Sequence, residues 1–134
     1  DYNRDATLMY PYRGFDQAEP GYRGVCHIAR NVSAPYPFCV VFRREIWAQL
    51  DGFDPSLLGP LALLDFALRA SMLEWRSVIE PQWCFVASGG AFAAEQFTQD
   101  QQVFKQRWQS RFEHGDAYYN PNLADYSPDM GLAI

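Results

Sequence analysis

Apolar residues recur at helical spacing in three stretches of the chain and in short unbroken blocks elsewhere. Between Gly59 and Leu73, Leu61, Leu64 and Leu68 fall at i, i+3 and i+7, the stripe of a helix that turns one side to a core. Pro60 suits the first turn of that helix, where its missing N–H would have had no intrahelical partner. Asp65 and Arg69 lie four apart on what reads as another face, at the spacing of an ion pair. A longer helix is predicted over Ala94–Phe112, with Phe97, Phe104, Trp108 and Phe112 on one side and His114-Gly115 at its end. A short one is predicted over Arg43–Leu50, with Ile46, Trp47 and Leu50 on one face and Gly52 in the place of a C-terminal glycine.

The unbroken blocks read as strands. Phe38-Cys39-Val40-Val41-Phe42 is apolar and partly β-branched, the pattern of a buried strand. Val25–Val32, Arg76–Glu80 and Trp83–Val86 are shorter candidates, and Ser88-Gly89-Gly90 a flexible loop. Residues 1–24 have weak periodicity and read as an irregular arm, and residues 116–134 as an ordered coil. Three or four strands interleaved with about three helices predict an α/β layer arrangement in one domain over residues 1–134. The sheet expected is short and mixed, with one edge open if the chain is half of a larger fold.

Composition narrows the function. Hydrophobic residues make up 49% and aromatics 16% of the 134 residues, ample for a packed core. The net charge is −5 and there is no basic block, which argues against nucleic acid as a partner. The longest apolar run, Leu57–Leu68, is broken by Gly59, Pro60 and Asp65, so no membrane span is expected. Cys26, Cys39 and Cys84 form no C-x-x-C pair and are expected to be three buried thiols without zinc or redox chemistry. The chain starts at Asp1 and is read as a piece of something longer.

Four ordered segments then resemble family-two glycosyltransferases, in particular the C-terminal half of the bacterial rhamnosyltransferase-like branch. The run 38–47 is similar to a strand ending in two basic residues and entering a helix. Leu50-Asp51-Gly52-Phe53-Asp54 resembles the family's "GGFDE" turn, with Asp51 for the first glycine and Pro55 for the acid. Asp65-Phe66-Ala67-Leu68-Arg69 resembles the end of its "E-D-x-D-L-x-x-R" helix, followed at the usual distance by a short strand and Pro81. Asp116–Leu123 is close to a "D-x-Y-Y-N-P-N-L" tail. The resemblance implies the acceptor side of a GT-A-type fold and a parent in polysaccharide or cell-envelope glycan assembly. In such enzymes a carboxylate takes the proton of the acceptor hydroxyl, and a divalent cation held in the N-terminal half neutralises the leaving diphosphate.

The sequence departs from the family where that chemistry resides. The "E-D" positions fall on Ala62 and Leu63, the variable site on Leu64 and the last acid on Asp65. The family's later histidine falls on Ala87, the small pair beside the donor falls on Pro37-Phe38, and there is no D-x-D. Asp65 is therefore the remaining candidate base, by way of a shifted register, and its competing role is a solvated helix pair with Arg69. Asp54, Arg69, Trp83, Tyr118 and Tyr119 are the candidate substrate-binding residues, the aromatics as platforms for a sugar ring. His114 and Asp116 are too few to make a metal site, and no metal residue is assigned. Tyr10, Tyr12, Arg13, Tyr22 and Arg23 in the arm are candidates for docking on a partner. The expectation is a chain inactive by itself, with no cofactor of its own. Its partner would be the missing nucleotide-binding half or another domain of a parent that is cytoplasmic or at the inner face of the membrane. A glycan-binding or protein-interaction module is the alternative, and a homodimer stays open.

Overall fold

A computed structural model describes residues 12, 14–83, 98–120 and 122–123. A 3-10 segment, Tyr22–His27, precedes strand β1, Arg30–Val32. Helices α1, Arg44–Gln49, and α2, Gly59–Met72, follow, then strand β2, Ser77–Ile79, and helix α3, Thr98–Glu113. β1 and β2 pair antiparallel with Arg30 opposite Ile79, Asn31 opposite Val78 and Val32 opposite Ser77. Helices beside a small sheet are compatible with the α/β class. The sheet is nonetheless smaller than expected, two-stranded and antiparallel among the described residues.

α2 is the centre of the molecule. Pro60 stands in its first turn, and every residue from Pro60 to Leu68 is buried. One flank packs Leu61, Leu64 and Leu68 against Phe104, Trp108 and Phe112 of α3. The other packs Phe66 and Ala70 against Ile46 of α1, with Leu50 and Trp75 alongside. Each fully buried leucine or phenylalanine here contributes about 2 kcal/mol of transfer free energy. Polar ties fix how α2 and α3 lie together. Asp100 of α3 accepts the Leu58 amide at 2.9 Å, and Arg111 donates to the Ser71 hydroxyl at 3.0 Å.

Both α1 and α2 end in the same backbone device. After α1, the Gly52 amide donates to the Trp47 carbonyl and the Asp51 amide to Ala48, at 3.0 and 3.4 Å. After α2, the Trp75 amide donates to Ala70 and the Glu74 amide to Ser71, both at 3.1 Å. This is the double closure that needs a left-handed residue just past the helix. Asp51 and Glu74 supply it at φ 56° and 65°, where glycine is usual. Gly52 is also left-handed, at φ 71°, and a Cβ there would lie 2.8 Å from the Trp47 ring. The turn thus needs two successive left-handed residues. Asp51 tolerates that conformation at some steric cost, and Gly52 takes it freely.

Several expectations are corrected. Only the end of Val25–Val32 is a strand; left-handed backbone at Arg23 and Gly24, φ 55° and 78°, curls the chain into the 3-10 segment before it. Phe38–Phe42 is coil, not a buried strand, and Val41 is 91% exposed. An apolar composition makes a strand only where a ladder partner exists, and no strand lies beside it among the described residues. Trp83 is coil and 72% exposed, while the rest of the strand predicted to 86 and the loop at 88–90 lie outside the described residues. The same holds for residues 94–97 of the predicted last helix, for Tyr10 and Arg13 of the arm, and for Cys84. The thiols are not uniformly buried: Cys39 is exposed and Cys26 half-buried, its pKa pushed up by desolvation. No described helix is long and apolar enough to cross a membrane.

Candidate functional site

The inner side of α2 carries one acid. Asp65 falls four residues after Leu61 and three before Leu68, so it shares the core-facing side and is fully buried. Its Oδ2 accepts from Arg69 Nε at 2.7 Å. Its Oδ1 accepts from Arg107 at 2.9 Å and from the indole N–H of Trp108 at 3.0 Å, both on α3. The pair with Arg69 therefore forms, but its acid is buried and is shared with α3; it is not a solvated helix pair.

Each arginine reaches onward. Arg69 donates its two terminal nitrogens to the carbonyls of Leu50 and Gly52 at 2.8 and 2.9 Å. Those carbonyls belong to the turn after α1, so one guanidinium joins that turn to α2. Arg107 forks between Asp65 and Asp54, reaching the latter at 2.6 Å. Asp54 also takes the hydroxyl and amide of Ser56 at 2.6 and 2.8 Å. The Ser56 hydroxyl first, then its amide and Arg107, hold the Asp54 pKa down to about 2. Asp65, followed by Asp54, holds the Arg107 guanidinium more firmly protonated. Buried charges survive only when paired and hydrogen-bonded in this way.

As a catalytic group Asp65 is badly placed. A general base needs the reacting proton within about 2.6–3.2 Å of a reachable oxygen. Here three donors occupy the carboxylate and no surface of it meets solvent. At the two preceding positions, Ala62 and Leu63 are buried aliphatics. Leu63, where the resemblance puts the proton acceptor, helps to line a cleft of about 280 Å³ between residues 39–43, α2 and β2.

Of the residues singled out from the sequence, Asp54, Asp65 and Arg69 come together in one network. Trp83 stands apart on the coil after β2, and Tyr118 is 46% exposed in the turn after α3, with Tyr119 half-buried beside it. Arg107 and Trp108 complete the network and were missed. Trp108 was assigned only to the apolar stripe, and Arg107 adjoins it. The available signal was Asp65 itself, an acid in register with Leu61 and Leu68 that requires cationic partners.

The tail motif is also structural. Asp116 is buried, accepting the Ser33 hydroxyl at 2.7 Å and the Tyr118 amide at 2.8 Å. Asn120 accepts the Asn122 amide at 3.0 Å, and Leu123 is buried. These are side-chain-closed turns, and the Ser33 bond ties the first of them to the residue after β1. His114 bonds through Nδ1 to the Ser110 carbonyl at 2.8 Å, leaving Asp116 to its own partners. Among the described residues no three His, Cys, Asp or Glu side chains cluster to hold a metal ion. Compared with known families, curated proteins and solved structures, the chain matches none of them significantly.

Proposed function

We propose that this chain is a glycosyltransferase-like domain whose scaffold is kept without its chemistry, from a parent of polysaccharide or cell-envelope glycan assembly. One observation carries the reading. The only acid in the helix motif is fully buried and is held by Arg69, Arg107 and Trp108. The motif residues nearest it support the reading: Arg69 joins the turn 50–54 to the helix 65–69, two of the segments that carry the resemblance. Under this reading the GT-A-type nucleotide-binding half, and any divalent cation, belong to another part of a cytoplasmic parent. Asp54 and Arg69 then hold the scaffold and do not contact a sugar.

The test is a sugar-nucleotide hydrolysis and transfer assay with this chain. No turnover is expected. Turnover that Asp65→Asn abolishes, in a variant still folded by circular dichroism, would overturn the reading. The exposed rings of Trp83 and Tyr118 support a second reading, a non-catalytic glycan-binding module. It predicts metal-independent binding in calorimetry that Trp83→Ala or Tyr118→Ala weakens.

A further inference from the structure

The cleft beside β2 has backbone on both sides and apolar side chains beneath. Its floor is Leu63, Phe66, Ala67 and Ala70 of α2. One wall is residues 39–43 and the other is Trp75–Val78, which includes Ser77 and Val78 of β2. Among the described residues β2 is paired on one side only, with β1. Across the cleft, no backbone hydrogen bond joins Cys39, Val40 or Val41 to another described residue. Two lines of backbone donors and acceptors thus flank one apolar floor.

The charge of the cleft is the reverse of the chain's. Among the described residues Arg43 and Arg76 line it, no acid does, and neither arginine has an ion-pair partner. Arg43 lies over the Trp75 ring at 5.8 Å from its centre. The chain as a whole carries −5.

We propose that this cleft receives an extended, acidic polypeptide segment of a partner protein, which adds as a third strand to the edge of β2 that is unpaired among the described residues. A strand is the occupant that uses backbone groups along both walls at once; a sugar ring or an acyl chain leaves them unmet. Successive side chains of a strand point to opposite faces. Alternate residues of the segment must therefore be apolar, to meet α2. At least one Asp or Glu must face Arg43 or Arg76. The inference does not rest on the glycosyltransferase-like reading.

The experiment pans a phage-displayed library of random nonapeptides on the immobilised chain. Enriched sequences should alternate apolar and polar residues and contain Asp or Glu. The leading peptide, made synthetically, should change tryptophan fluorescence on binding. N-methylation of its alternate amides should abolish binding in one of the two registers. Arg76→Glu, at an exposed position, should weaken it about tenfold while leaving thermal stability unchanged. No enrichment, enrichment of basic peptides, indifference to Arg76→Glu, or indifference to N-methylation in both registers would each refute the proposal. So would dimerisation that Arg76→Glu abolishes, which makes the occupant a second copy, or decanoate binding at the site with no peptide enriched.

Discussion

Replacing Asp65 by asparagine separates a structural acid from a catalytic one by the sign of its effect. The substitution keeps size and shape. The remaining amide oxygen can still accept from Arg107 and Trp108, but the new NH2 group then faces the Arg69 Nε–H, donor against donor. Turning the amide over instead strands the Trp108 indole, which is 7% exposed. Breaking a buried ion pair costs about 3–5 kcal/mol. The Arg69 and Arg107 side chains are 23% and 35% exposed and can partly rehydrate, which lowers the expected loss to about 3 kcal/mol. Urea unfolding followed by circular dichroism measures it, as a lower midpoint at unchanged slope. A loss below about 1 kcal/mol would refute the argument. A gain in stability would refute it more sharply, since residues kept for activity commonly hold a protein below its stability optimum.

Three further outcomes follow from the backbone and from the rim of the same network. Glu74→Gly should stabilise the chain by about 0.5–1 kcal/mol in thermal unfolding, because a left-handed glutamate carries a steric cost that outweighs the added freedom of glycine when unfolded. Gly52→Ala should destabilise by about 2 kcal/mol or more, through its left-handed φ and the Trp47 ring, and alter near-ultraviolet dichroism from Trp47 stacked on Phe42. Stability should fall as pH drops from about 4 to 2, because Asp54 titrates near 2 when folded but near 3.9 when unfolded, so the unfolded chain takes up the proton first. At this partly solvated rim the contribution is about 1 kcal/mol, present above pH 4, and Ser56→Ala should flatten the acid limb.

The helices were legible because their burial follows the 3.6-residue period. Leu61, Leu64 and Leu68, and Phe104, Trp108 and Phe112, lie where the spacing puts them. α2 was predicted to within a residue, since Pro60 marks its start and the leucine stripe its course. Of the strands, Arg76–Glu80 was legible and forms Ser77–Ile79, but Phe38–Phe42 misled, because pairing is decided by distant chain. Val40 and Val41 have strand character without a strand beside them, whereas Arg30–Val32 pairs with residues more than forty positions away. The network was half legible. The i, i+4 spacing gave Asp65 and Arg69, but their burial and the fork of Arg107 depend on how α3 crosses α2, which no local pattern encodes.

Asp65 meets Arg107 and Trp108 across 42 and 43 positions of chain. On a ribosome adding about 5–20 residues per second, α2 emerges with Asp65 paired to Arg69 alone, some 2–8 s before the segment that fills the other carboxylate oxygen. During that interval a charged group sits amid its greasiest surface. Apolar neighbours then gain little by collapsing onto it, and the nascent helix is kept available for the one mate that brings a second cation and an indole donor.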